Sequence, residues 1–366
     1  MNICPSCNSD ALIKRGKCTT TGKQRYSCKE CKKITLNPLD APKAPAEGYN
    51  VTGQSILYDE VGNVKLRWEK VNRDKEKQFE MVKEAAKEMS RSVKRAKPFS
   101  VVPNGDASLL SLYTFTDYHL GMMAWHQEGG ANWNINLAEQ TAISSFAYMM
   151  QGAPNSKIGV INNLGDFLHF DGILPVTPTS GHVLDSDSRY KKLVRVAIRI
   201  IKQLVQMALE KHSQVILINS QGNHDLSSSI WLQELFYSHY EHEQRVHVDV
   251  SALPFYCIQH GKTLLAFHHG NKVRFDSIGA KIPAEFPKEW GATDYRYVHT
   301  GHLHHKKVKE DNGITTEQHQ TLSARDAHAS YGSYHAERAT TCITYSDEYG
   351  EVARITVKPE MIKAAS

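Results

Sequence analysis

The chain has 366 residues, 23% of them charged, and a formal net charge of +5 at pH 7. This length allows one large domain together with a small one. No apolar run approaches the roughly 20 residues that a membrane span needs, and the first residues lack the pattern of a signal peptide. These features argue against a membrane protein and predict a cytoplasmic location.

The cysteines indicate a metal site at the start of the chain. Four of the seven form two Cys-x-x-Cys pairs, Cys4 with Cys7 and Cys28 with Cys31, separated by 20 residues. An odd count with this spacing argues for a reducing compartment and metal-bound thiolates. Four thiolates suit one tetrahedral zinc ion, whose binding supplies the folding free energy that so short a segment lacks. We therefore predict a structural zinc ribbon over residues 1–35; a redox Cys-x-x-Cys pair would come with a βαβ pattern that is absent here.

The positive charge is concentrated near the N-terminus. Residues 1–35 carry a net charge of +6, residues 65–97 another +6, and residues 36–64 carry −3. The remainder, residues 98–366, is therefore acidic at −4. This asymmetry predicts a polyanionic partner for the N-terminal quarter. For residues 65–97 a solvated charged helix face is an equal alternative.

Residues 36–107 are predicted to connect the ribbon to the main domain. Prolines and glycines punctuate residues 36–54, which is typical of a linker. Alternating apolar residues around a Gly-Asn turn predict a hairpin from Ser55 to Trp68. Apolar residues at steps of three and four predict a basic helix over residues 73–96. Its apolar stripe would pack on the main domain or on a second copy of the chain, so a homodimer stays open.

Residues 108–366 show short apolar runs that alternate with longer helical stretches, which predicts an α/β layer architecture. Buried strands are predicted at Leu109–Phe115, Lys157–Leu164, Gln214–Ile218 and Thr263–Phe267. Helices are predicted between them at Asn136–Met150, Arg189–Lys211 and Ser228–His239. Three more strands favour a second sheet, and they are Glu317–Leu322, Ala339–Tyr345 and Val352–Lys358.

Five polar fragments carry the chemistry of this region, and each is predicted to follow a strand. They are Asp117-Tyr118-His119, Gly165-Asp166, Gly222-Asn223-His224-Asp225, His268-His269-Gly270 and Gly301-His302-Leu303-His304. Ligands of α/β sheets gather at the carboxyl ends of strands, so these fragments are expected to converge. Each alone is weak evidence, because Asn-His-Asp and Gly-Asp also occur in ordinary turns. Together they predict a two-metal site.

Carboxylates and neutral imidazoles suit Mn, Fe, Zn or Co ions, of which we expect Mn. Two such ions about 4 Å apart activate a bridging hydroxide and clamp a phosphate for in-line displacement. The donor set therefore predicts hydrolysis of phosphate esters.

The five fragments resemble the motif pattern of the calcineurin-like metallophosphoesterase superfamily over about residues 108–360. The resemblance implies a sandwich of two sheets flanked by helices. It implies that Asp117, His119 and His304 hold one metal, that Asn223, His269 and His302 hold the other, and that Asp166 bridges them. His224 would stabilise the transition state or protonate the leaving oxygen, with Asp225 orienting it. His269 directly precedes the glycine, as the ligand of the family does, and His268 is the alternative.

Two stretches suggest a branch of the superfamily. The run from Asp117 to Gly121 and the run from Gly165 to His169 resemble motifs of DNA repair exonucleases of the SbcD type. By this resemblance His169 contacts substrate, and the alternative is a packed histidine. SbcD-type enzymes partner an SMC-like ATPase, and this sequence contains no ATPase phosphate-binding loop.

The N-terminal ribbon resembles those of transposase-like proteins, chiefly through Gln24–Cys28. In such ribbons the basic residues and Tyr26 would lie along a phosphate backbone. This combination of modules suggests a bacterial or bacteriophage enzyme, located in the bacterial or host cytoplasm.

The leading hypothesis is a metal-dependent DNA nuclease, with the ribbon binding substrate and the two-metal site cutting it. The first alternative is a phosphodiesterase or phosphatase for nucleotides or cyclic nucleotides, with a structural ribbon. The acidic balance of residues 98–366 fits this alternative, because bound divalent ions alone would attract a small anion. The second alternative is a catalytically silent binding module.

Overall fold

The computed structural model describes residues 2–20, 22–36, 39–40, 49–58, 64–73, 103–178 and 181–362. The chain divides into two compact units, Met1–Met81 and Val82–Ser366. Apart from Arg73, the helix predicted over residues 73–96 lies outside the described residues, as does most of the predicted linker. Of the described helices, none is long and apolar enough to cross a membrane.

The first unit is built from short antiparallel strands. These are β1 (Asn2–Ile3), β2 (Leu12–Lys17), β3 (Gln24–Cys28), β4 (Ile34–Thr35), β5 (Leu39–Asp40), β6 (Tyr49–Tyr58) and β7 (Val64–Arg73). β2, β3 and β4 form a three-stranded sheet, and β1 pairs with β5. β6 and β7 form a hairpin in which Ser55 lies opposite Trp68, so both strands extend beyond the predicted hairpin of residues 55–68.

The second unit contains two sheets. The six-stranded sheet has the spatial order β11 (Val246–Val248), β10 (Gln214–Asn219), β9 (Ser156–Asn163), β8 (Asp106–Phe115), β17 (Thr340–Ser346) and β18 (Gly350–Val357). Strands β8 to β11 are parallel, and β17 and β18 run antiparallel at one side. The five-stranded sheet has the order β12 (Tyr256–His260), β13 (Thr263–Phe267), β14 (Tyr295–Thr300), β16 (Ile314–Gln318) and β15 (Lys307–Asp311). Here β13, β14 and β16 are parallel.

Helices complete the second unit. The α-helices are α1 (His126–Gly129), α2 (Ile135–Gly152), α3 (Tyr190–Lys211), α4 (Leu226–Tyr240), α5 (Phe275–Ile278), α6 (Ile282–Glu285), α7 (Pro287–Ala292) and α8 (Ala327–Tyr331), with 3-10 turns at Gly279–Lys281 and Pro359–Met361. The long helices α2, α3 and α4 bury apolar faces in one large cluster with the six-stranded sheet.

The two sheets pack face to face. Leu112 of β8 and Phe267 of β13 belong to one fully buried cluster that contains side chains of both sheets. A third cluster covers the outer face of the five-stranded sheet, where Ile278 and Ile282 pack on Val298. The predicted α/β sandwich of two sheets flanked by helices is confirmed. β11, β12, β14 and β15 were not predicted, and the strand expected at Glu317–Leu322 spans Ile314–Gln318. The strands expected at Ala339–Tyr345 and Val352–Lys358 are β17 and β18, which extend the six-stranded sheet and not the second one.

Candidate metal centre

All five polar fragments follow the carboxyl ends of parallel strands. The fragments with Asp117, Asp166 and Asn223 come after β8, β9 and β10 of the six-stranded sheet. The fragments with His269 and His302 come after β13 and β14 of the facing sheet. Because the two sheets pack together, the strand ends that carry these five fragments converge on one site, as expected from the sequence.

Asp117, His119 and His304 form the first group of donors. The Nε2 atoms of His119 and His304 are 3.3 Å apart, and Nε2 of His304 lies 3.3 Å from Oδ1 of Asp117. One ligand atom from each residue lies within 4.8 Å of the others. Three donors at this separation fit the coordination shell of a single ion.

Asp166, His269 and His302 form the second group, also within 4.8 Å. Nε2 of His269 lies 3.1 Å from Oδ2 of Asp166 and 3.3 Å from the side-chain oxygen of Asn223. The same nitrogen is 3.9 Å from Oδ1 of Asp117 in the first group. The two groups are therefore adjacent, and their donor sets fit a pair of divalent ions.

Asp117 supplies the test of this fit. Its Oδ2 accepts hydrogen bonds from the backbone N–H of His302 at 2.8 Å and from the hydroxyl of Thr116 at 2.6 Å. Its Oδ1 is buried and makes no hydrogen bond of good geometry among the described residues, and imidazole nitrogens of His304 and His269 lie 3.3 and 3.9 Å away. A buried carboxylate oxygen approached only by unprotonated imidazole nitrogens is costly. A cation at this position would remove that cost.

The electrostatics of the centre favour positive charge. Burial alone would raise the pKa of Asp117, but His304 and His269 outweigh it and lower that pKa. Burial alone would likewise lower the pKa of His269, but the carboxylates of Asp166 and Asp117 raise it instead. Ionised carboxylates therefore face the same space as the imidazole nitrogens, and the field that would protonate His269 also attracts a metal ion.

The backbone at the centre adopts conformations that are uncommon for non-glycine residues. Asp117, His119, Asp166, His302 and His304 all have positive φ angles, between 47° and 73°. Non-glycine residues adopt this left-handed region only where surrounding structure holds them there.

Gly222 shows how closely the loops approach. A Cβ atom at this position would lie 2.0 Å from Oδ1 of Asp166 and 2.3 Å from its backbone nitrogen. The loop before α4 therefore needs glycine here, because any side chain would displace the carboxylate of Asp166.

His224 lies beside the first group. Its Nδ1 is 2.8 Å from the backbone oxygen of His169, and its ring centroid is 4.7 Å from that of His119. Since a carbonyl oxygen only accepts, Nδ1 of His224 carries a proton and donates it, which leaves Nε2 as the free nitrogen.

Asp225 was predicted to orient His224, and the structure shows other partners for its carboxylate. Its carboxylate accepts from the backbone N–H groups of Asp166, Gly222 and Leu168 at 3.1–3.3 Å. The carbonyl of His169 holds His224 instead. Asp225 is fully buried and joins the loops after β9 and β10, so it fixes the backbone of the centre.

The side chain of His169 is buried behind the first group. Its Nδ1 lies 3.4 Å from Nδ1 of His119, and its ring stacks on His224 at 5.7 Å. Its Nε2 is buried without a partner among the described residues. Burial lowers the pKa of His169 to about 3, so the ring is neutral.

The two adjacent histidines after β13 have different surroundings. His269 faces the second group and its Nδ1 contacts the backbone oxygen of Leu164 at 2.9 Å. His268 accepts from the N–H of Gly270 and its ring lies 4.5 Å from that of Phe255. His268 belongs to neither donor group.

Several residues of the centre were not predicted. Thr321 donates to the backbone oxygen of Asp117 at 2.6 Å, and Ser323 does so at 3.2 Å. Asp171 accepts from the backbone N–H groups of Ser227 and Ser228 at 2.6 and 2.8 Å, and so caps the start of α4. Thr116, which also bonds Asp117, could have been suspected from the sequence because it directly precedes Asp117. Thr321, Ser323 and Asp171 are far from their partners in sequence, and only the fold brings them close.

The four predicted cysteines cluster in the first unit. Cys4 and Cys31 have their sulfur atoms 3.6 Å apart, and those of Cys7 and Cys28 are 3.5 Å apart. All four sulfur atoms lie within 4.8 Å of one another. The cluster fits one zinc ion with four thiolate ligands.

No protein-family model matches the chain, and no curated protein matches it. Several solved structures are similar to parts of this chain, at low identity and low TM-score. A predicted phosphoesterase from Streptococcus pneumoniae is 10% identical over 70% of this chain and 92% of its own, with a TM-score of 0.31. The phosphoesterase YfcE from E. coli is 15% identical over 67% and 98%, with a TM-score of 0.33. Vps29 complexed with zinc from Entamoeba histolytica is 11% identical over 69% and 99%, with a TM-score of 0.26.

Proposed function

We propose that this protein is a two-metal-dependent phosphodiester hydrolase, and that its substrate is DNA. The observation that carries the hydrolase is the pairing of two adjacent donor groups around the buried Oδ1 of Asp117, which imidazole nitrogens of His304 and His269 face. This arrangement suits two cations held side by side, which is one established way to catalyse phosphate ester hydrolysis.

The chain's own residues divide into two ligand sets. Asp117, His119 and His304 would hold one ion, and Asn223, His269 and His302 the other, with Asp166 reaching both. Two bound divalent ions would activate water and neutralise charge on the phosphate. We expect manganese, with iron, zinc or cobalt as alternatives.

His224 is suited to act as a general acid. Because its Nδ1 donates to the carbonyl of His169, its orientation is fixed and Nε2 is the nitrogen left to meet the substrate. Protonated at both nitrogens, the ring would donate from Nε2 to the leaving oxygen. His169 is a positioning residue for His224 through its backbone, and its buried ring lies behind His119.

The assignment to DNA rests on two features. The runs Asp117–Gly121 and Gly165–His169 resemble those of SbcD-type exonucleases, which favours exonucleolytic cleavage. The ribbon exposes basic side chains along β2 and β3, among them Lys14, Arg15 and Arg25. Exposed basic residues beside Tyr26 suit a phosphate backbone, so the zinc-bound ribbon would hold the substrate.

The second candidate is a phosphodiesterase for nucleotides or cyclic nucleotides, with a structural ribbon. The acidic net charge of residues 98–366 favours it, because a small anion would need only the metal ions.

Hydrolysis assays separate these candidates. Purified protein with Mn²⁺ is given linear and circular DNA, a small phosphodiester and a mononucleotide. Asp166→Ala should abolish all metal-dependent turnover, whereas Asp294→Ala, on an exposed aspartate at the opposite end of the sheet, should retain it. DNA cleavage lost only in Asp166→Ala supports the nuclease. Turnover of the small esters alone supports the second candidate, and equal activity of both variants overturns the proposed centre.

A further inference from the structure

Two segments that leave the candidate metal centre are rich in basic residues. The first follows His269 and contains Lys272 and Arg274, and the second follows His304 and contains Lys306 and Lys307. All four basic side chains belong to exposed residues. They lie in a unit whose residues 98–366 carry a net charge of −4, so this local concentration runs against the average of the domain.

The two segments contact one another. Nζ of Lys307 lies 2.9 Å from Oδ1 of Asp276 and 4.4 Å from the ring centroid of Phe275. They therefore form one continuous surface, which we call the basic flank and define as Lys272, Arg274, Lys306 and Lys307.

Part of this charge is not neutralised by the protein. Asp276 pairs with Lys307, and beyond the basic flank Asp311 pairs with Lys309 at 2.9 Å. In the described part of the chain, Lys272, Arg274 and Lys306 take part in no ion pair. Three exposed cationic side chains without a counter-charge from the protein give this surface a local positive potential, which attracts anions.

We propose that the basic flank binds phosphate groups of a DNA strand that neighbour the phosphate being cut. This inference rests on the proposed function and deepens it, because it selects a polynucleotide over a small ester. A mononucleotide has no neighbouring phosphates for these residues to contact.

The spacing fits such contacts. Lys272 is three residues from His269, so their Cα atoms are at most about 11 Å apart, and Lys306 is at most about 7 Å from His304. Successive phosphates of one DNA strand rise about 3.4 Å along the axis. The flank therefore reaches phosphates within roughly three nucleotides of the metal centre.

The test compares two double variants of the full chain that remove the same charge. Lys272→Gln with Arg274→Gln alters the flank. Lys262→Gln with Lys288→Gln is the control, since Lys262 precedes β13 and Lys288 lies before β14, at the opposite ends of these strands. Binding of a fluorescent DNA duplex is measured from 50 to 200 mM salt. Hydrolysis of the duplex and of bis(4-nitrophenyl) phosphate is measured with Mn²⁺.

Each phosphate contact contributes a slope of about 0.9 to the salt dependence of binding, so losing two contacts should lower the slope by about 1.8. The difference in affinity between wild type and the flank variant should then shrink about tenfold from 50 to 200 mM salt. The preference for DNA over the small ester should fall by a similar factor. The control should keep the wild-type slope and preference.

A flank variant that binds DNA with the wild-type slope, or a control that loses as much, overturns the inference. Wild-type protein that hydrolyses no phosphodiester, while the flank variant still loses DNA binding and the control does not, refutes the proposed function and leaves the basic flank supported. If the wild-type protein hydrolyses phosphodiesters and the flank variant keeps wild-type DNA binding and preference, the proposed hydrolase is supported and the basic flank is refuted.

Discussion

Gly222→Ala is the substitution whose effect the structure specifies most closely. The backbone of Gly222 does not have a positive φ angle, so alanine can adopt it and only the added methyl group matters. That methyl would lie 2.0 Å from Oδ1 of Asp166, 2.3 Å from the backbone nitrogen of Asp166 and 2.7 Å from Oδ1 of Asp225. None of these atoms is the free end of a flexible side chain, because each is fixed by backbone hydrogen bonds.

Overpacking of this kind costs about 1–3 kcal/mol of stability. Asp166 would also have to shift. Disturbing the contacts that orient a metal ligand typically lowers metal affinity about 10–100-fold. Gly172→Ala is the matched control, because its Cβ would meet nothing within 4 Å and its φ is not positive. Removing glycine there should leave stability unchanged or raise it by about 0.4–1 kcal/mol.

Urea unfolding followed by tryptophan fluorescence measures the first effect, and titration with Mn²⁺ measures the second. Gly222→Ala should lose stability and metal affinity together, while Gly172→Ala keeps both. If the two variants unfold at the same urea concentration and bind Mn²⁺ equally, the close approach of this loop to Asp166 is refuted.

Three further changes have defined outcomes. Asp171→Ala removes the cap of α4 and should cost about 0.5–2 kcal/mol of stability and lower kcat through His224. Asp171→Asn, which also caps, should retain most of the stability and of kcat. Equal losses in the two variants would exclude the capping role. Removing zinc, or Cys4→Ser, should abolish hydrogen-exchange protection in β2 and β3 but leave the second unit protected, and persistent protection would contradict a zinc-dependent fold. Burial lowers the pKa of His212 to about 4, below its ordinary value of about 6.5. The unfolded chain therefore binds a proton first, and stability should fall by up to about 3 kcal/mol between pH 6.5 and 4. His212→Gln should flatten that slope, measured by urea unfolding at each pH, and an unchanged slope would assign it to other groups.

Many strands of the two sheets were predictable because the central strands are rich in apolar residues on both faces. Thr263–Phe267 is a strand with the predicted bounds, and the strand predicted at Gln214–Ile218 extends one residue further. β14 was missed because two of its three buried residues, His299 and Thr300, are polar and only Val298 is apolar. His299 in β14 is fully buried, with Nδ1 2.9 Å from Nε2 of His319 and Nε2 3.1 Å from the hydroxyl of Tyr345. Hydrogen bonds between distant strands stabilise these side chains, and periodicity along one segment does not detect them.

The donor set was predictable for a similar local reason, since each ligand stands in a short fragment at a strand end. Their partners were not. Asp171 is 56 residues from Ser227, and Thr321 is 204 residues from Asp117. The family resemblance assigned Asp225 to its sequence neighbour His224, yet its carboxylate turns toward the loop after β9. Adjacency along the chain does not fix which neighbour a buried carboxylate faces, because the unpaired N–H groups around it decide that.

Backbone conformation supports both candidate metal clusters. In the described part of the chain nine non-glycine residues have positive φ angles, and five of them are candidate ligands of the two-metal centre. Two more, Asn8 and Lys32, occupy equivalent places in the cysteine knuckles: each N–H bonds the carbonyl of the first cysteine of its pair, Asn8 to Cys4 and Lys32 to Cys28. Such conformations cost of order 1–3 kcal/mol each and persist where surrounding contacts hold them. Seven of nine therefore fall at the two clusters that donor chemistry selects. Residue type accounts for part of this agreement, because Asn, Asp and His adopt positive φ several-fold more often than other non-glycine residues. Binding of cations by the converging side chains would offset the cost of these backbone conformations, which explains why they are concentrated at the two clusters.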